Sequence, residues 1–123
     1  MSRRKGKKLA PFVALDRQML KSAEWRTGLT SSEKIVYIHL KYKFVGWNNG
    51  DIELHYSELR DFLAPGTIWR AFKGLQAKGW IERTKYGGLR RFVNKYRLTG
   101  KHDHDRNIYR QLQVMNRDVT YLG

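Results

Sequence analysis

Residues 64–79, APGTIWRAFKGLQAKG, together with the basic ribbon that follows them, decide how the rest of the chain is read. Ile68, Ala71, Phe72 and Leu75 recur at i, i+3, i+4 and i+7, which places them on one buried face of a short helix. Pro65 suits the first helical turn, where a missing N–H costs little, and Gly79 suits the residue just past the end. The opposite face carries Thr67, Trp69, Arg70 and Lys73. A helix that buries one stripe and presents Arg, Lys and Thr from the other has the shape that enters a DNA major groove. On an arbitrary basic helix the same charges would be only a solvated face, so the flanking segments carry the weight.

Upstream, residues 55–63 read as a helix with Leu59 and Phe62 or Leu63 inward, ending before Pro65. A very short turn at 64–66 then gives helix, tight turn, helix. Residues 51–54, DIEL, alternate polar and apolar as a short strand does, after the turn-rich GWNNG of residues 46–50. Thr30-Ser31-Ser32-Glu33 is a capping box that opens a helix running to about Phe44. Val36, Leu40 and Phe44 form one stripe of it and Ile35, Ile38 and Tyr42 another, which makes it central to the core. His39, with no partner at ligand spacing, reads as structural. Before it, a helix near residues 16–25 turns Leu20, Ala23 and Trp25 inward, anchored by Phe12, Val13 and Leu15.

Downstream of Gly79 the period changes from 3.6 to 2. Residues 80–85 and 90–98 are strand-like, and Tyr86-Gly87-Gly88-Leu89 between them is a hairpin turn signal. The hairpin carries Arg83, Lys85, Arg90, Arg91, Lys95 and Arg97, either a solvated edge or a second set of phosphate contacts. Beyond it Ile108, Leu112 and Met115 mark a weak amphipathic helix in the tail.

The 123 residues, 41% hydrophobic and 13% aromatic, are enough for one globular domain with a modest core. The expected division is a basic mobile arm at 1–10, a domain at 11–100 and a tail at 101–123. Net charge is +14, which implies a polyanionic partner, nucleic acid before membrane. That charge is unevenly placed: residues 1–30 carry +6, residues 31–64 carry −1, residues 65–100 carry +8 and residues 101–123 carry +1. The absence of cysteine excludes disulfides and thiolate metal sites. MSRRKGKK is basic, but no apolar stretch of secretory length follows it, and nothing approaches a membrane span.

With helix, strand, two helices and a basic hairpin in order, the chain resembles winged helix-turn-helix proteins. More narrowly it is similar to small DNA-binding proteins of bacteria, phages and integrated mobile elements, related to plasmid and phage replication proteins. The resemblance rests on FVALDRQMLKSAEWR, SSEKIVYIHL, NNGDIEL, YSEL, T-xx-RA-xxx-L-xx-KGWIE and GGLRR…YRLTG, and covers roughly residues 12–100. It implies a recognition helix starting near Thr67 and including Arg70. The chain departs from many such proteins in a turn about two residues shorter between Leu63 and Thr67.

These readings give an α+β winged-helix expectation of about four helices, a small antiparallel sheet and a basic wing. Its partner would be double-stranded DNA. Base contacts are expected from Thr67, Arg70 and Lys73, wing phosphate contacts from Lys85, Arg90 and Arg91, and arm contacts from Arg3, Arg4, Lys5, Lys7 and Lys8. Trp69 would pack on sugar or a thymine methyl, or lie buried against Tyr56, with burial the favoured expectation. No catalytic residues, metal, cofactor, small-molecule substrate or membrane partner are expected. The role would be transcriptional regulation in the cytoplasm, associated with the nucleoid, or alternatively replication-origin recognition. A palindromic target would imply a homodimer, with half-sites ~10 base pairs apart. Two other classes compete. His102-Asp103-His104-Asp105 would place two histidines together on an extended segment, as a metal-dependent nuclease needs. Trp80, Tyr86, Phe92 and Tyr96 among basic residues would suit an RNA- or protein-interaction surface, although most fall on the inward alternation.

Overall fold

The computed structural model describes residues 12–85 and 94–102. Among them four α-helices and a three-stranded antiparallel sheet follow one another: α1 (Arg17–Lys21), α2 (Ala23–Arg26), α3 (Ser31–Lys43), β1 (Ile52–Glu53), a 3-10 turn (Tyr56–Glu58), α4 (Pro65–Ala77), β2 (Ile81–Lys85) and β3 (Lys95–Leu98). The α+β class expected from the sequence is what the chain adopts.

The capping box starts α3 as read. Glu33 N–H donates to Thr30 Oγ1 at 3.1 Å, and Thr30 N–H donates back to Glu33 Oε1 at 2.8 Å. Val36, Tyr37 and Leu40 bury its inner face. Tyr42, expected on a second inward stripe, is instead exposed. His39 is structural: its Nδ1 lies 2.9 Å from the Ile35 carbonyl, which can only accept, and its ring meets Phe62 at 5.0 Å.

Two expected helices are shorter than their periodicity. The segment near residues 16–25 breaks at Ser22, whose hydroxyl donates to the Met19 carbonyl (2.6 Å) and accepts from Trp25 N–H (3.3 Å). One side chain therefore ends α1 and caps α2, and the break turns Met19 and Trp25 inward while Ala23 is exposed. Residues 55–63 do not form an α-helix. Glu58 N–H and Leu59 N–H close three-residue turns onto His55 and Tyr56, and Glu58 Oε2 accepts from His55 N–H at 3.1 Å. Leu59 is buried, whereas Phe62 faces outward.

The helix α4 follows at once, with Ala64 as N-cap and Pro65 in its first turn. Ile68, Ala71, Phe72 and Leu75 are buried as the spacing required. Gly79 ends it in the left-handed region, φ 80°, where a Cβ is unfavourable. Where α4 crosses α3, Gly74 lies against the buried Glu33 carboxylate, so that a Cβ there would fall on Glu33 Oε2.

The sheet order is β1-β3-β2, with Ile52 opposite Tyr96 and Ile81 opposite Leu98. These four share the face that completes the core with α3 and α4. β1 has only two residues, and a side chain extends it. The fully buried Asn49 accepts from Leu98 N–H at 2.8 Å and donates to the Leu98 carbonyl at 3.1 Å, as a further strand residue would. Two aromatic groups complete the packing. Trp25, Tyr37 and Trp80 meet with centroids 5.2–5.9 Å apart, and Phe72 stacks between Tyr56 and Tyr96 at 5.8 and 4.9 Å.

Candidate nucleic-acid interface

With one face of α4 locked into the core, the geometry of its other residues follows from the 100° step of the helix. Gly74 against Glu33 turns the Thr67–Gly74 flank toward α3. Phe72 against Tyr56 and Tyr96 turns the opposite flank, with Trp69 and Gln76, toward the sheet. Between the flanks, Arg70 and Lys73 stand in solvent. Thr67 is half-buried, and its hydroxyl accepts from Arg70 Nη2 at 3.5 Å. Ala64 offers no side-chain cap, so the positive end of the helix opens beside these residues without a hydroxyl or carboxylate from the N-cap position. The sequence holds no Asp or Glu from residue 62 to residue 81. The three residues expected to contact bases, Thr67, Arg70 and Lys73, are therefore brought together on one cationic surface.

Trp69 corrects the expectation of burial. It is 55% exposed, and Tyr56, the ring expected against it, is stacked on Phe72. Lys73 Nζ lies 5.5 Å from the indole centroid, a cation–π contact that steadies both side chains.

The hairpin is more neutral at its base than its composition implies. Arg97 pairs with Glu82 directly across the ladder, its Nε donating to Glu82 Oε1 at 3.1 Å. Lys95 Nζ reaches Asp51 at 2.6 Å and Glu53 at 3.6 Å. The hydrogen bond to Asp51 raises the Lys95 pKa above the ordinary lysine value. These two cations, read from sequence with the phosphate-contacting set, are held by carboxylates. Arg83 is half-buried opposite Tyr96, and Lys85 is exposed at the end of β2. Burial raises the pKa of both Tyr56 and Tyr96, with Arg83 opposing the shift. Arg90, Arg91, Tyr86 and Phe92 lie outside the described residues, as do Arg3, Arg4, Lys5, Lys7, Lys8 and the tail beyond His102.

The alternative chemistries find their described members in the core or against it. Trp80 and Tyr96 are buried, and His102 stacks on Trp80 with centroids 4.2 Å apart. Among the described residues no group of three or more His, Asp or Glu side chains could hold a metal ion. Asp103, His104 and Asp105 lie outside them.

One cationic cleft escaped the sequence reading. Lys21, Arg26 and Lys34 surround Leu20 and the edge of Trp25 in an open cleft of about 510 Å³. Lys34 Nζ sits 5.8 Å from the Trp25 centroid and donates to the Arg26 carbonyl at 3.3 Å. Its signal in the sequence is weak: Lys21 and Arg26 fall within the +6 of the first 30 residues, but Lys34 lies in the near-neutral middle of the chain.

Compared with known protein families, curated proteins and solved structures, the chain finds no match. No helix among the described residues is long and apolar enough to cross a membrane. The outward face of α4 thus brings together two exposed cations, a hydroxyl and an aromatic ring on one helix.

Proposed function

We propose that the protein is a winged-helix module that binds double-stranded DNA, with α4 in the major groove and the β2–β3 hairpin on the flanking backbone. The observation that carries the reading is the acid-free outward face of α4. It exposes Trp69, Arg70 and Lys73 while Ile68, Ala71, Phe72 and Leu75 fix the helix in place. A helix of thirteen residues is ~20 Å long, sufficient to lie across a major groove. Arg70, beside Thr67, and Lys73 would make the base-edge contacts, and Lys85 would neutralise a phosphate. The four helices and small antiparallel sheet are compatible with this fold. The role that follows is transcriptional regulation on the nucleoid. The resemblance to plasmid and phage replication proteins makes origin recognition the second reading, served by the same contacts.

Fluorescence anisotropy on random duplex and single-stranded DNA across a salt series tests the proposal. Duplex affinity is expected to fall with salt by a log–log slope of about −0.9 per phosphate neutralised. Weak, salt-independent binding to both forms refutes it.

A further inference from the structure

Trp69 is the one large apolar side chain that α4 leaves to solvent. Its neighbours on the buried stripe are at most 2% exposed, whereas Trp69 is 55% exposed. The ring that could have covered it, Tyr56, is stacked on Phe72 instead. Lys73 Nζ is held over the indole at 5.5 Å, and Arg70 and Thr67 are joined on the adjoining surface. The residue is thus positioned by its surroundings without being covered by them. With no carboxylate between residues 62 and 81, charge complementarity selects a polyanion as the partner that covers it.

A fully paired duplex does not offer base faces to such a ring, since they are stacked. Its major groove offers one apolar group on the base edges, the C5-methyl of thymine. We propose that Trp69 packs against a thymine methyl, which makes it a specificity-determining residue of the α4 face. The inference rests on the duplex-binding reading above and adds the base class to it. Arg70 and Lys73 would supply charge and hydrogen bonds on the adjoining strip of the helix, and Trp69 would report whether the methyl is present.

Deoxyuridine differs from thymidine by that methyl alone. A duplex site is first selected from a random pool with the wild-type protein, and each thymine in it is then replaced in turn by deoxyuridine. At one position the wild-type affinity is expected to fall about fourfold, the value of one buried methyl or methylene, ~0.8 kcal/mol. Trp69→Ala is expected to bind the thymine and deoxyuridine sites equally, and Trp69→Phe to keep part of the difference. Because Trp69 is outside the core, both variants should retain the wild-type circular dichroism spectrum. The wild-type deoxyuridine series stands whether or not they fold. Indifference of the wild type to every replacement overturns the proposal, and so does full discrimination by Trp69→Ala. Tighter binding to a site left unpaired at that position overturns it in favour of base stacking. If the protein selects no duplex at all, the duplex-binding reading itself has failed, and this result is distinct from the others.

Discussion

Gly74→Ala probes the contact between α4 and the Glu33 side chain of α3. In an isolated helix the change would stabilise by ~0.8–1.0 kcal/mol, since glycine is a poor helix former. Here the new methyl would fall on Glu33 Oε2. Glu33 is buried and already committed, with Oε1 accepting from Thr30 N–H at 2.8 Å and from Lys78 Nζ at 2.6 Å. Turning the carboxylate away gives up the capping interaction, typically ~1 kcal/mol. It also weakens a charge-assisted hydrogen bond worth ~1.5–3 kcal/mol. Set against the propensity gain, the net cost is ~2 kcal/mol. For a domain of this size that is a fall in Tm of about 8–16 °C. Urea and thermal unfolding followed by circular dichroism measure it. The decisive control is Glu33→Ala: without the carboxylate, Gly74→Ala should become stabilising by ~1 kcal/mol, a coupling of about 3 kcal/mol in the double-mutant cycle. Gly74→Ala that stabilises the wild-type chain, or costs the same without Glu33, refutes this account of the helix crossing.

Two further predictions concern the sheet and the acid limb of stability. Asn49→Ala removes both hydrogen bonds to the Leu98 backbone and leaves a buried N–H and C=O unpaired, a loss of ~2–6 kcal/mol at ~1–3 for each group; urea unfolding measures it, and a loss under 1 kcal/mol contradicts the role of that side chain as a strand rung. The hydrogen bond from Lys43, at 2.8 Å, is the main cause of a Glu58 pKa below its ordinary 4.5, so its stabilisation is present above that value and lost as pH falls through the folded pKa. Glu58→Gln should therefore flatten the dependence of unfolding free energy on pH as the pH falls below the ordinary carboxylate range, and an unchanged slope there would mean that the Lys43 pair does not contribute.

What could be read from the sequence depended on how far apart the interacting residues lie. The start of α3 was legible because Thr30 and Glu33 cap one turn of one helix. The buried stripe of α4 was legible because its period is local. The positioning of α4 was not. It depends on Glu33 meeting Gly74 and Lys78, the latter pair 45 residues apart, and a lone glycine inside a helical pattern carries no mark of its partner. Residues 55–63 have a helical pattern, yet Glu58 binds His55 N–H and Lys43 instead of continuing the helix. The candidate site divides in the same way. Periodicity placed Thr67, Trp69, Arg70 and Lys73 on the outward side, and Trp69, Arg70 and Lys73 are exposed while Thr67 is half-buried. The expected cover of Trp69 by Tyr56 is a contact between segments that periodicity does not reach, and Tyr56 stacks on Phe72 instead. Charge counting read Lys95 and Arg97 as available cations, whereas the antiparallel register sets Glu53 opposite Lys95 and Glu82 opposite Arg97. Pairing thus offsets two charges at the base of the hairpin. The α4 face, with no carboxylate in its own sequence, keeps Arg70 and Lys73 directed at solvent. On the proposed DNA-binding reading, this contrast makes α4, rather than the more basic but carboxylate-paired base of the hairpin, the surface on which recognition is expected to centre.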